Sequence, residues 1–270
     1  MAQPGAAYRT RRLEVPGIGA GAAGRRSRAE TESGRAVGSR LPQGRVHRLH
    51  VAATLTAAAP HQLGRSGGQR RPGLLLHPDD LREARIEGRE SNLVLFLVDA
   101  SGSMAARSRM SAVKTAVLSL LLDAYQRRDK VGLICFRGAT ADLLLPPTSS
   151  VDAAAARLAS LPTGGRTPLQ AGLLRAHETL RIERLRDPQR RPLLVVVTDG
   201  RHTSVGDPAR AAALLERDRV ASVVVDCERG PVRLGLAVGL CRALNGTYLP
   251  LGDLGIGGLA ETVRAIRQVA

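Results

Sequence analysis

The sequence predicts a doubly wound α/β fold, in which a mostly parallel sheet is flanked by helices, as in Rossmann-like domains. Two observations support this prediction. Runs of consecutive apolar residues, typical of strands covered on both faces, recur along residues 91–270, and segments with helical spacing of apolar residues separate them. Buried strands that alternate with amphipathic helices form a parallel sheet, because each helix returns the chain to the edge where the next strand begins.

The predicted elements follow in a regular order from residue 93. Apolar runs predict strands at residues 93–98, 131–136, 193–197, 220–225 and 247–251. Helical spacing predicts helices around residues 110–124 and at 168–185, 208–217, 234–244 and 259–269. The sequence therefore predicts one α/β domain over residues 91–270.

The chain before this domain has a different composition. Residues 1–44 are rich in Gly, Arg, Ser and Ala without sustained periodicity, which predicts a basic, flexible and disordered tail. Residues 45–90 are predicted to be a helical linker, with a helix at 46–59 that ends at Pro60 and a loop at 62–72.

Charge is concentrated in the first part of the chain. Residues 1–78 contain 13 Arg against three Glu, which accounts for +10 of the net charge of +16. Such a segment raises the hypothesis of nucleic-acid binding, for example through Arg25, Arg26 and Arg28. No aromatic residues are interleaved with these arginines, so a solvated tail that docks on an acidic protein is favoured over a nucleic-acid partner.

The sequence also predicts the compartment. We find no signal peptide and no apolar run approaching the length of a membrane helix, which predicts a cytoplasmic protein without a membrane partner. Cys135 falls in an apolar strand and Cys241 in a helical pattern, so buried thiols in a reducing compartment are expected rather than disulfides.

Oxygen-bearing side chains follow two of the predicted strands. Asp99, Ser101 and Ser103 come directly after the strand at 93–98, and Asp199 follows the strand at 193–197. Thr167 lies in a third loop, Gly-Gly-Arg-Thr-Pro. Ligands bind α/β sheets beyond the carboxyl ends of the strands, and Mg²⁺ prefers hard oxygen ligands in an octahedral shell. These five residues are the predicted Mg²⁺ site, with Asp199 acting directly or through a water.

The composition of this site suggests its use. Two carboxylates with several hydroxyls leave positive charge on the ion and an open position, for which an Asp or Glu of a partner protein is the expected sixth ligand. Each residue also has a simpler interpretation. Ser101 or Ser103 is then a helix cap, Thr167 is the N-cap before Pro168, and Asp199 with Gly200 forms a turn.

The motifs of this region resemble a known family. Residues 99–104 (DASGSM), 164–169 (GGRTPL) and 193–201 (LLVVVTDGR) are similar to the metal-ion-dependent adhesion site of von Willebrand factor A domains. Residues 122–133 (LDAYQRRDKVGL), 145–148 (LPPT) and 232–237 (VRLGLA) narrow the resemblance to the C-terminal half of the D subunit of magnesium chelatase and its cobaltochelatase relatives. The resemblance covers about residues 9–270.

The resemblance implies a function. A D-type subunit works in a chelatase that inserts Mg²⁺ or Co²⁺ into a tetrapyrrole, and bridges an ATP-hydrolysing AAA+ subunit and a large tetrapyrrole-binding subunit. Asp99, Ser101, Ser103, Thr167 and Asp199 would then be adhesion residues rather than catalytic ones. Family members usually begin with an AAA+ module. Neither Lys114, after Val113, nor Lys130, after Asp129, belongs to a Walker A motif, so no ATP is expected to bind this chain.

Three other hypotheses are weaker. The Gly-x-Gly-x-x-Gly pattern at residues 19–24 and the Gly-x-Ser-x-Gly pattern at 64–68 both lack a preceding buried strand, which disfavours a dinucleotide site and a serine hydrolase. The remaining alternative is a general protein-binding scaffold that uses the same ion to bind an unrelated AAA+ ATPase. The metal site would be identical in both cases, so the sequence leaves this alternative open.

Overall fold

A computed structural model of the protein describes residues 3–67, 73–104, 107–159, 163–228 and 233–255. The chain divides into two compact units, residues 28–89 and residues 1–27 together with 90–270. The strands are β1 Ala23–Arg40, β2 Glu83–Glu90, β3 Leu93–Asp99, β4 Lys130–Arg137, β5 Thr140–Thr148, β6 Pro192–Thr198, β7 Ala221–Asp226 and β8 Thr247–Pro250. The helices are α1 Val51–Ala58, α2 Gln62–Arg65, α3 Arg107–Gln126, α4 Val151–Ala159, α5 Leu169–Arg186, α6 Pro208–Arg217 and α7 Leu236–Ala243.

The mostly parallel sheet predicted from the sequence is confirmed. Six strands lie in the order β5-β4-β3-β6-β7-β8, and every neighbouring pair is parallel except β4 with β5, which is antiparallel. Strand β5 and helix α4 were not predicted from the sequence. The apolar run within β5 is short and is followed by Pro146 and Pro147. Prolines are tolerated here because β5 is an edge strand, but they interrupt the apolar run by which a strand is predicted.

The position of β3 inside the sheet, with helices on both faces, explains why residues 93–98 are all apolar. Its side chains alternate between two hydrophobic clusters: Val94, Phe96 and Val98 pack with residues of α3, whereas Leu95 and Leu97 pack with residues of α5 and α6. All seven residues of β3 are buried. Helices on both faces therefore fix the sheet and, with it, the position of the loops that leave its carboxyl edge.

The prediction of a disordered tail at residues 1–44 was wrong for residues 23–40. These residues form β1, which pairs with β2 in a two-stranded sheet. Ion pairs join the two strands: Arg28 lies 2.6 Å from Glu87, and Arg40 lies 3.0 Å from Glu83. Cross-strand pairs of opposite charge stabilise a sheet without the apolar alternation on which the sequence prediction depended.

Arg26 corrects the interpretation of the basic cluster as a solvated tail. Its side chain is 2 % exposed, and it donates hydrogen bonds to the carboxylates of Asp123 and Asp129 and, at 2.7 Å, to the carbonyl of Leu13. Leu13 itself packs in the hydrophobic cluster on the α3 side of the sheet. The segment before residue 28 is therefore part of the α/β unit.

The helix predicted at residues 46–59 is shorter than expected. It is α1, which begins after His50, whose Nδ1 accepts a hydrogen bond from the backbone N–H of Ala53. Pro60 does not end the helical path. It lies in the 3₁₀ turn Ala59–His61, near the start of that turn, where the backbone N–H that proline lacks is not needed for a hydrogen bond. The expected loop at 62–72 begins with α2. The closing helix predicted at 259–269 lies outside the described residues.

Two further predictions concern buried thiols and membranes. Cys135 and Cys241 are buried thiols, as predicted, and Cys227 is buried too. Among the described residues, no helix combines the length and apolar character needed to span a bilayer.

Candidate metal centre

The two predicted carboxylates leave the sheet at the same edge. Asp99 is the last residue of β3, and Asp199 directly follows β6. The two strands are parallel neighbours, with Val98 beside Val197. Asp99 therefore lies next to Thr198, one residue before the second carboxylate.

The Asp99 side chain is fully buried and held by two loops. One oxygen accepts a hydrogen bond of 2.9 Å from the backbone N–H of Ser101, and the other accepts one of 2.9 Å from the hydroxyl of Thr198. The Ser101 side chain donates to the same carboxylate. Asp99 is thus fixed in orientation before any cation binds.

Burial raises the pKa of Asp99 to about 6. The hydrogen bonds from Ser101 and Thr198 oppose this effect, whereas the negative charge of Asp199 adds to it. Two carboxylates placed close together out of water form a site with an excess of negative charge.

Backbone hydrogen bonds bring the Thr167 loop to the loop that follows β3. Gly164 donates from its N–H to the carbonyl of Ala100, and Gly102 donates to the carbonyl of Gly165, each at 2.8 Å. Gly165 has a φ of +88°, a backbone conformation that L side chains rarely adopt.

Thr167 itself is attached to the loop after β6. Its backbone N–H donates to the hydroxyl of Thr203 at 2.8 Å, and its side chain is 3 % exposed. The alternative interpretation of Thr167 as a helix cap is wrong, since α5 begins at Leu169 with Pro168 in the N-cap position and without a side-chain cap. Hydrogen bonds therefore join all three predicted loops at one edge of the sheet.

Asp199 carries the most informative atom of the site. The residue is 2 % exposed, and its Oδ1 accepts a hydrogen bond of 3.1 Å from the N–H of Arg201. Among the described residues, its Oδ2 is buried without a hydrogen-bond partner, and the Nε of Arg201 lies 3.6 Å away, beyond hydrogen-bond distance. Buried carboxylate oxygens are normally satisfied, so this atom fits a bound cation.

The donor chemistry of the described residues fits Mg²⁺. The site offers carboxylate and hydroxyl oxygens, and no group of three or more His, Cys, Asp or Glu suited to a metal occurs elsewhere in the described ranges. Ser103 lies in the 3₁₀ turn Gly102–Met104, two residues beyond Ser101, and the position of its side chain lies outside what the structure describes.

Sequence reasoning missed the role of Thr198. Its hydroxyl donates to Asp99 and accepts a hydrogen bond of 3.0 Å from the N–H of Gly200, so it connects the first carboxylate to the loop of the second. Its position at the carboxyl end of a buried strand was the available signal. Asp226 ends the next strand, β7, but its oxygens are occupied by the N–H of Glu228 and the hydroxyl of Tyr248.

The sequence profile of the von Willebrand factor type A domain family matches residues 94–202, a range that contains all five predicted site residues. The chain contains a von Willebrand factor type A (VWA) domain. Two solved structures have the same fold as this VWA domain: an aerotolerance-related membrane protein from Bacteroides fragilis and proximal thread matrix protein 1 from the mussel byssus. The first is 24 % identical with a TM-score of 0.50 and covers 66 % of this chain and 98 % of its own. The second is 15 % identical with a TM-score of 0.51 and covers 63 % and 46 %.

Three relatives are similar over more than the VWA domain. An uncharacterized protein of Mycobacterium tuberculosis is 52 % identical over 98 % of this chain and 42 % of its own length. The magnesium-chelatase 67 kDa subunit of Chlorobaculum tepidum is 38 % identical over 81 % and 39 %. The magnesium-chelatase 60 kDa subunit of Cereibacter sphaeroides is 38 % identical over 91 % and 45 %. The chain thus spans less than half the length of each of these relatives.

A second family profile, the AAPxQ domain, matches residues 33–85, before the VWA domain. The motif corresponds to residues 58–62, which end in Gln62. The amide of Gln62 donates to the carbonyl of Leu75 at 3.0 Å and accepts from the N–H of Leu75 at 2.9 Å. This glutamine therefore holds the backbone of Leu75 against α2.

Proposed function

We propose that this chain is a D-type VWA subunit of an ATP-dependent chelatase that inserts Mg²⁺ or Co²⁺ into a tetrapyrrole. Its role is to bridge an AAA+ subunit and a large tetrapyrrole-binding subunit in the cytoplasm. The similarity to two magnesium-chelatase subunits over more than four fifths of the chain supports the class of assembly. The residues at the carboxyl edge of the sheet support the proposed way in which the subunit binds its partner, through a bound cation.

The buried Oδ2 of Asp199 is the observation that carries this proposal. This buried oxygen has no hydrogen-bond donor among the described residues, and its only cationic neighbour there is the half-exposed Arg201 at 3.6 Å, so a bound cation would satisfy it. Asp99, Ser101, Ser103, Thr167 and Asp199 would hold Mg²⁺, with Asp199 bound directly or through a water. The bound ion supplies an open coordination position for an Asp or Glu of the partner.

The lysines of the chain support the assignment of ATP hydrolysis to a partner. Lys114 is buried within α3, and Lys130 begins β4 and lies 3.1 Å from Asp187. Neither lies in a glycine-rich loop that could surround phosphates. In this proposal the chain contributes adhesion, not a catalytic site.

The test is Mg²⁺-dependent capture of the AAA+ subunit by the immobilised chain. Asp99→Asn keeps the shape of the side chain but removes the charge, and we expect it to abolish capture while the circular dichroism spectrum is retained. Asp142→Ala is the matched control, because it removes an exposed carboxylate from the edge strand β5. Capture by Asp99→Asn equal to that of the unmodified chain would show that the site is not used for adhesion.

The second candidate function is a VWA scaffold for an AAA+ ATPase unrelated to chelation. The observation that favours it is the family profile matched by residues 94–202, which describes von Willebrand factor type A domains in general and not chelatase subunits. Metal insertion separates the two. A chelatase subunit is required when the AAA+ and large subunits insert metal into a tetrapyrrole in vitro, and insertion that proceeds equally without this chain would favour the scaffold.

A further inference from the structure

The edge of the sheet opposite the metal centre contains a basic cavity of about 680 Å³. It lies where β6 and β7 begin, and Arg184, Arg190, Arg191 and Arg219 line it. Asp99 and Asp199, by contrast, lie where β3 and β6 end. The VWA domain therefore presents carboxylates at one edge of its sheet and arginines at the other.

Two of the four arginines are bound to carboxylates. Arg190 donates to Asp187 at 2.9 Å, and Arg191 donates to the fully buried Glu90. These contacts hold both side chains in place along the wall of the cavity. They also neutralise much of the charge of these two residues, so the excess positive charge must come from the other pair.

Arg184 and Arg219 carry that excess. Arg184 is exposed and donates to a neutral group, the backbone carbonyl of Asp218, at 2.9 Å. Arg219 is exposed, and it is Arg217 rather than Arg219 that lies 3.7 Å from the carboxylate of Asp218. Two acidic residues also line the cavity: Asp218, which lies 2.8 Å from His177, and the exposed Glu216. Arginines in the lining therefore outnumber carboxylates by four to two.

The backbone of Arg219 allows its side chain to be tested without disturbing the helix end. Its φ is +53°, the left-handed conformation found just after the end of a helix, where glycine is strongly preferred. Arg128 and Asn245 have the same conformation after α3 and α7, so it marks the end of a helix in each case. Capping the end of α6 does not require a guanidinium, because a glycine would make the same backbone contacts.

The floor of the cavity is apolar. Val220 and Leu244 are nearly fully buried beneath it, and Pro16, Pro188 and Pro192 contribute to its walls. A ligand that fits this surface has anionic groups for the arginines and apolar groups for the floor. Arginine binds carboxylates in a planar, two-point geometry that suits such a ligand.

We propose that this cavity is a second docking site, which binds an acidic segment of a partner protein containing apolar residues. Among the residues that line the cavity none is aromatic, which removes the stacking that single-stranded nucleic acids use. Because the cavity and the metal centre lie at opposite edges, both are accessible at once. This inference does not depend on the metal.

The test uses the whole chain and a fluorescein-labelled peptide in which glutamate alternates with leucine and proline. Fluorescence anisotropy at fixed ionic strength measures its affinity. We expect Arg184→Glu combined with Arg219→Glu to weaken binding by at least about tenfold, as expected when a charge-assisted hydrogen bond is lost. Arg210→Glu is the matched control, since Arg210 is exposed at the other end of α6, and it should leave the affinity unchanged.

A second variant separates binding from folding. Arg219→Gly removes the side chain and relieves the left-handed backbone, so we expect weaker peptide binding with an unchanged or higher unfolding temperature. Retention of full affinity by Arg219→Gly, or an equal loss in Arg210→Glu, would overturn the proposal. The proposal would also be overturned if a single-stranded oligonucleotide bound more tightly than the peptide and the same double charge reversal abolished that binding.

Discussion

Arg25 and Arg26 are adjacent in the chain but have opposite environments. Arg25 is exposed, whereas Arg26 is 2 % exposed and its guanidinium is shared between Asp123, Asp129 and a backbone carbonyl. Burial raises the pKa of Asp129, and the positive charge of Arg26 opposes that rise. Because its guanidinium binds both carboxylates and the carbonyl of Leu13, Arg26 attaches the segment around Leu13 to the rest of the α/β unit.

We predict that Arg26→Ala lowers the free energy of unfolding by about 3–5 kcal/mol, because it leaves two carboxylates next to an empty, water-excluded space. Arg25→Ala should change it by less than about 0.5 kcal/mol, as expected for an exposed position. Urea denaturation followed by circular dichroism measures both. Equal effects of the two substitutions would mean that Arg26 is not buried in solution.

Among the structural elements, the loop after β6 is positioned by the start of α7. Gly200 has a φ of +78°, and a Cβ added there would overlap the backbone of Leu236 and Ala237. The loop therefore approaches the helix more closely than any other residue allows, and this contact determines where Asp199 lies.

We predict that Gly200→Ala lowers the free energy of unfolding by about 1–3 kcal/mol, because the methyl group overlaps backbone atoms and the φ is unfavourable. It should also weaken Mg²⁺ binding, since Asp199 moves with the loop. Gly239→Ala is the matched control: Gly239 lies within α7 and has open space around it, so the change should stabilise the protein by about 0.5–1 kcal/mol. Thermal unfolding and Mg²⁺ titration of both variants test the prediction, and a Gly200→Ala protein as stable as Gly239→Ala would contradict it.

For the molecule as a whole, the proposed metal site would link binding to stability. Asp99 and Asp199 are two buried carboxylates at one edge of the sheet, and the negative charge of Asp199 acts on Asp99 although Arg201 lies 3.6 Å from Asp199. A bound cation would relieve this repulsion. A ligand that binds only the folded state increases stability in proportion to its occupancy.

We predict that Mg²⁺ at one hundred times its dissociation constant stabilises the protein by about 2.7 kcal/mol. Asp199→Asn should unfold at a higher temperature than the unmodified protein in the presence of a chelator, because the repulsion of Asp99 is removed. The same variant should lose most of its response to Mg²⁺. Differential scanning calorimetry with and without Mg²⁺ measures both effects. An Asp199→Asn protein that is less stable without metal, or that keeps the full response, would contradict this account.

The sequence by itself determined the α/β class, the order of the central elements and the edge at which Asp99 and Asp199 lie. Strands buried on both faces must be continuously apolar, so the sequence of β3, β4 and β6 identifies them without further information. The sequence also identified the loop of Thr167, because a pair of glycines followed by Thr-Pro is typical of a loop that leads into a helix.

Only the tertiary structure decided how the remaining residues are used. Strand β1 depends on charged partners in β2 more than forty residues away, and Arg26 depends on Asp129, about a hundred residues away. The oxygen of Asp199 that lacks a hydrogen-bond donor among the described residues likewise became visible only in three dimensions, as did the left-handed backbone of Arg219. Apolar burial leaves a local and periodic signal in the sequence, whereas ion pairs and hydrogen bonds depend on residues that the fold alone brings together.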